Sequence, residues 1–238
     1  MSNKFCSLAK KTFAFTLAET LIVIGVIGIV SALTLPNLNS STGEKEKVAK
    51  VQKLYQNIQD AFGCAVAVYG PYEEWFVEIT DNKLKSKRAG ERITEFMKTS
   101  KVCGLNTGEG CFSTGDDNSN YTYKIITADG ASMYFDASSG ENGHFYMVID
   151  IDGPNKGAAK AGVDYFHSTV SYNVSKRELE TYCGSDVTSS TFIPDDRKCA
   201  FSWIIAVGNM EYLKTKEDGT CINNPEIRLD GTTFVTCK

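Results

Sequence analysis

Apolar residues along this chain fall into three regimes, unbroken, helically spaced and alternating, and each predicts a different element. From Phe15 to Leu35 the only charge is Glu19, and from Leu21 onward there is none. These 21 residues make about 31 Å of helix at roughly 1.5 Å per residue, enough for one bilayer crossing. Lys4, Lys10 and Lys11 precede the run and no acid does. The positive-inside bias therefore keeps the first dozen or so residues cytoplasmic and sends the chain beyond Ser40 across the membrane. Glu19 is the odd feature. A carboxylate near the start of an apolar helix is costly unless it stays solvated at the headgroups or something pairs with it.

The second regime begins after Pro36. Past the polar stretch NLNSSTGEKEKVAK, the residues Val48, Val51, Leu54, Tyr55, Ile58, Phe62 and Ala65 recur at three- and four-residue steps, which is one apolar helix face. Gly70-Pro71 ends the run. The expectation is one long helix of about 55 residues, membrane-embedded in its first half and amphipathic in its second, with a softer patch around Ser40 to Gly43.

From Tyr72 to Asn120 the composition is mixed. A charged, helical-looking segment from Arg88 to Lys101 leads into a Gly-rich loop between Cys103 and Cys111. Alternation then takes over. YTYKIITADGASMYFD reads as a hairpin turning at Ala128-Asp129-Gly130, and HFYMVIDID and DYFHSTVSY as further strands joined by GPNKGAAKAGV. Three or four antiparallel strands laid on the amphipathic half-helix complete a core, giving an α+β fold. Beyond Asn173 come FSWIIAVGNMEYL, whose Trp203 is expected in the core, and a strand-like end, GTTFVTCK.

The formal net charge is −4, and a leader ending at Ala14, with three lysines and no acid, leaves −7 on the rest. That balance disfavours general affinity for nucleic acid phosphates. Of eight cysteines, seven lie beyond the apolar run on the outward side, where disulfides form. Local pairs are expected: Cys103 with Cys111, Cys183 with Cys199, and Cys221 with Cys237, although spacing alone does not fix connectivity. Cys64 is then left over, as a buried free thiol on the apolar face of its helix. Zinc is disfavoured, because no C-x2-C pair exists and the only histidines are His144 and His167.

One loop gathers oxygen donors: Asp150, Asp152 and Asn155, with Asp164 shortly after. Alternating Asp and Asn in a Gly-containing loop suits Ca²⁺, but Gly153 comes early and no Glu closes the loop, so a polar turn is the competing reading. Enzyme motifs are absent: no G-x-S-x-G, no P-loop, no H-E-x-x-H and no dinucleotide fingerprint. A structural rather than catalytic chain is expected.

The basic leader, the apolar run, Glu19, Gly28 and Pro36 together resemble the N-terminal signal of type IV pilins and of type II secretion pseudopilins. The resemblance implies cleavage after Ala14, N-methylation of Phe15, and Glu19 as the fifth mature residue, pairing with the N-terminal amine of a neighbouring subunit. Ala14 departs from the usual Gly before the cut. It further implies a leader over 1–14, a transmembrane and filament-core helix over 15–38, and a half-helix plus β-rich globular domain over 39–238, in a pilin-like fold with a disulfide-rich C-terminal region. The loop at Asp150 is similar to a segment of many pilin-like proteins, some of which hold calcium, with Asp150, Asp152, Asn155 and Asp164 as the implied ligands. Implied partners are other pilin or pseudopilin subunits, a prepilin peptidase-methyltransferase, an assembly ATPase with its membrane platform, and inner-membrane lipid. The implied location is the inner membrane before assembly and a periplasmic or cell-surface filament after it. A minor tip subunit that binds a surface or ligand, and a monomeric membrane-tethered domain, are the alternatives.

Overall fold

The computed structural model describes residues 17–105, 110–112, 121–154, 156–157, 159–182, 199–216, 218–229 and 236–237, with 19, 20, 28–42 and 141 as backbone only. The chain divides into two compact units, 1–43 and 44–238. Helix α1 spans Leu17–Tyr69 and contributes to both.

In the first unit, Leu17 and every residue from Leu21 to Ile27 are exposed, including Ile22 at 65 % and Ile24 at 62 %. Among the described residues no helix is long and apolar enough to cross a membrane. The run expected to do so reaches into residues given as backbone only.

The second unit is α+β. Its part of α1 buries Val48, Val51, Leu54, Ile58, Ala61, Phe62 and Ala65, the face that the three- and four-residue spacing predicts. The helix stops at Gly70, whose φ of +82° is left-handed and whose N–H closes on the Val66 carbonyl at 3.0 Å; Pro71 cannot continue it. A short turn, Tyr72–Phe76, buries Trp75, whose indole N–H donates back to the Gly70 carbonyl at 2.9 Å. Helix α2, Asn82–Thr94, starts where the Asp81 carboxylate accepts the Lys83 N–H at 2.8 Å.

Six strands form one antiparallel sheet in sequence order: β1 Thr99–Gly104, β2 Tyr123–Thr127, β3 Ser132–Asp136, β4 His144–Asp150, β5 Tyr165–Asn173 and β6 Glu178–Tyr182. The hairpin at Asp129-Gly130 forms as expected, with Gly130 at φ +91° and the Thr127 N–H bonded to the Ala131 carbonyl at 2.9 Å. The sheet is larger than the three or four strands predicted. The charged segment read as one helix from Arg88 to Lys101 is instead the end of α2 followed by β1, which pairs Val102 with Ile125. β1 is doubly irregular, slipping register between Thr99 and Lys101 and again between Val102 and Gly104.

One sheet face, Ile125, Met133, Phe135, Phe145, Met147, Ile149, Phe166, Val170 and Leu179, packs in a single core with α1. At its centre the Phe62 ring stacks on Phe145 at 5.4 Å and on Trp75 at 5.6 Å. Helix α3, Ala200–Val207, closes the same core with Phe201, Trp203 and Ile204, and Trp203 is buried as expected. The opposite face carries a smaller cluster of Val148, Phe112 and the Cys103–Cys111 pair, flanked by Tyr134, Tyr146 and Tyr165. The close approach of α2 to the sheet depends on Gly90, where a Cβ would lie 2.1 Å from the Tyr123 ring.

The β5–β6 hairpin is held by Glu180. Its carboxylate accepts the Lys176 ammonium at 2.9 Å, the Asn173 amide at 2.9 Å and the Tyr182 hydroxyl at 2.9 Å. These donors, Lys176 first, pull its pKa from 4.5 down to about 2. A depressed carboxylate contributes stability that is complete above the unfolded pKa and is lost as pH falls through the folded one. Glu180→Gln is therefore expected to cost about 0.5–1 kcal/mol at pH 7, discounted for solvent screening, and to flatten the loss of stability between pH 4.5 and about 2. Unfolding curves across that range check it, and an unchanged acid limb would refute it.

Candidate functional site

Two features carry functional weight, the exposed apolar helix and a charged seam along the next part of α1. Of the residues expected in processing and assembly, Ala14 and Phe15 lie outside the described residues, and Glu19 lies in α1 as backbone only. From Leu21 to Ile27 six apolar side chains and Gly25 occupy seven successive exposed positions. Seven positions span nearly two helical turns, so this segment is apolar all round rather than on one stripe.

Lys47, Lys50 and Lys53 repeat every three residues on α1, and each meets a different acid. The Lys47 ammonium is 4.0 Å from Asp164, Lys50 is 3.8 Å from Asp152, and Lys53 is 3.3 Å from Asp129. Lys53 and the Thr127 hydroxyl both favour the Asp129 carboxylate, and its pKa is lowered although burial alone raises it. The acids come from the β2–β3 turn and from the loop between β4 and β5, so the seam ties the helix to two sheet connections. Each pair is weak in solvent, and the value of the set lies in fixing register.

The loop expected to bind calcium is within this seam. Asp150 is 3 % exposed, and its Oδ1 accepts the N–H groups of Asp152 and Gly153, both at 3.1 Å. Burial pushes its carboxyl above the usual range, and the charges of Asp164 and Asp152 add to this against the two amides. Asp164 accepts the Lys160 N–H at 2.5 Å. Gly153 holds φ +76°, and a Cβ there would lie 2.2 Å from the Gly130 carbonyl oxygen, so the loop abuts the β2–β3 turn directly. Asn155 lies outside the described residues. Among the described residues no group of three or more His, Cys, Asp or Glu side chains is placed to hold a metal ion. The acids of this loop meet backbone amides and lysine ammonium groups.

Two of the three expected local cysteine pairs are seen. Cys103 joins Cys111 and Cys221 joins Cys237; Cys199 is disulfide-bonded, while Cys183, its expected partner, lies outside the described residues. Cys221 and Cys237 belong to the main core, and the Cys237 N–H donates to Glu211 at 2.9 Å. Cys64 is free, as expected, but exposed rather than buried. It falls off the stripe defined by Phe62 and Ala65 and lines an open groove of about 560 Å³ with Gly63, Ala67, Tyr172 and Val174. His144 is half-buried, with Nδ1 3.3 Å from the Asn142 carbonyl, and His167 lies against the Tyr146 ring.

No family model, curated protein or solved structure matches this chain.

Proposed function

We propose that this protein is a filament subunit, a pilin or pseudopilin of a type IV pilus or a type II secretion-like machine, and not an enzyme. The observation that carries the reading is the exposed apolar segment from Leu21 to Ile27. A helix apolar all round is stable in water only when covered, first by inner-membrane lipid and then by the same helices of other copies. The preceding lysines set its orientation with the N-terminus in the cytoplasm.

In this proposal a prepilin peptidase-methyltransferase cuts after Ala14 and methylates Phe15. An assembly ATPase and its membrane platform then move the subunit from lipid into the filament core. Glu19 sets axial register, because a subunit entering one step out of place leaves both its own carboxylate and its neighbour's amine unpaired in apolar surroundings. The α+β unit from Glu44 onward rides outside the membrane, where its disulfides form.

Intact-mass measurement of the membrane-extracted protein tests the proposal. The expected mass is that of a chain beginning at Phe15, with a methyl group in place of one amine hydrogen and minus two hydrogens per disulfide. A chain that keeps residues 1–14 and is found only as a monomer would leave a tethered outward-facing domain in place of a filament subunit.

A further inference from the structure

Helix α2 is the basic element of an acidic protein. It carries Lys83, Lys85, Lys87, Arg88 and Arg92 against Glu91 alone, in a chain of formal charge −4. Two of the cations are occupied within the fold. Arg92 lies over the Tyr69 ring at 4.5 Å and the Trp75 ring at 5.3 Å, and Lys85 is buried. Lys87 and Arg88 are exposed and Lys83 is half-buried. Among the described residues Lys87 pairs with Glu91 of the same helix, at 3.7 Å.

The segment just before α2 has the opposite sign. Between Tyr72 and Asp81 stand Glu73, Glu74, Glu78 and Asp81, all exposed, and no base. Asp81 caps α2, but among the described residues Glu73, Glu74 and Glu78 form no ion pair, and neither does Arg88. Glu78 also holds φ +68°, a conformation that residues other than glycine avoid and that persists only where the surrounding structure fixes it.

Apolar groups are exposed in the same stretch and beside it: Val77 at 66 %, Leu84 at 52 % and Tyr121 at 51 %, with the Lys83 ammonium 5.4 Å above the Tyr121 ring. A surface for a polyanion needs cations alone. Exposed apolar side chains beside charges of both signs are the composition of a protein interface.

We propose that this stretch is a contact between copies of the chain, in which Lys83, Lys87 and Arg88 of one copy take the acidic turn at Glu73, Glu74 and Glu78 of the next. The inference rests on the filament reading and adds a contact that the apolar helix does not supply. In a filament the basic face of one copy meets the acidic turn of the next, a heterologous contact that repeats from subunit to subunit where the rotation between copies does not close a ring. Misplaced neighbours meet like charge, so the patch selects register as well as partner.

The test is a charge swap in the full-length chain, read as the ratio of filament to membrane-bound subunit. Lys87→Glu with Arg88→Glu, and separately Glu74→Lys with Glu78→Lys, are each expected to lower that ratio at least tenfold and to leave the membrane pool unchanged. All four changes together restore the complement and are expected to recover most of the loss. Melting temperatures of the detergent-extracted variants control for folding, and a variant that melts low is replaced by Lys87→Gln with Arg88→Gln. Either reversal assembling like wild type overturns the inference, as does a well-folded fourfold variant no better than the pairs. If Lys87→Glu with Arg88→Glu abolishes binding to phosphatidylglycerol vesicles while filaments form normally, α2 faces lipid and the inference is overturned. A wild-type chain that forms no filament at all overturns both this inference and the reading beneath it.

Discussion

Glu19→Ala is expected to leave the chain in the membrane and to lower its incorporation into filaments by roughly 10²–10⁴-fold, because removing one partner of a buried ion pair costs about 3–5 kcal/mol. The loss falls on assembly and not on insertion, since an apolar residue at position 19 makes the helix easier to insert. On the proposed register role, what remains unpaired is the amine at Phe15 of the neighbouring subunit. Glu19→Gln separates charge from size: it keeps the side-chain volume and a hydrogen-bond acceptor, and is expected to recover only part of the loss. Quantifying the variant in sheared filaments and in the membrane fraction gives the ratio directly. A ratio equal to wild type would remove Glu19 from the register.

Phe62→Ala is expected to be the most damaging single truncation in the second unit. Its ring is fully buried and sits at the centre of the aromatic core. It stacks on Phe145 from β4 and on Trp75 from the turn after α1, with Tyr72 at 5.2 Å and Tyr172 at 5.0 Å completing the surround. Four large rings cannot collapse into the space left by a fifth, so a cavity remains and the cost is about 3–5 kcal/mol. Against a typical total of about 5–15 kcal/mol, that is a large fraction of the stability. The melting temperature of the detergent-extracted chain should drop by on the order of 10 °C. A drop of only a degree or two would mean that helix and sheet are joined elsewhere.

The elements with several buried residues at regular spacing are legible in the sequence. α1 shows its stripe because seven apolar residues keep the helical step, and β2 to β5 show theirs because alternation persists through Ile125, Phe135, Phe145 and Val170. β1 and β6 carry too little signal. Each buries one residue, Cys103 in the first and Leu179 in the second, and alternation cannot be read from a single point. The start of α2 escapes for a related reason, since an Asp cap before mostly charged residues looks like a loop until the Asp81 carboxylate is seen to accept an N–H.

Cys64 departs from its expected burial although the spacing alone places it. Two residues beyond Phe62 is about 200° round a helix, the side away from the core. The exposed apolar stretch from Leu21 to Ile27 is readable because it is a continuous block. The acids of the Asp150 loop are also readable, but their partners are not. The pairing of Lys47 with Asp164 joins residues brought together only by the completed sheet, and no local spacing announces it. The two slips in β1 are likewise invisible.

Those slips matter if the chain polymerises as proposed. β1 is an edge strand, and a straight edge is an open template onto which a stranger's backbone can zip, ending in amyloid-like stacking. A border twice out of step offers no uninterrupted row of N–H and C=O groups. If such molecules crowd side by side in the proposed filament, β1 is a poor template for a neighbour's strand, and self-association on that side is left to surfaces that can also let go.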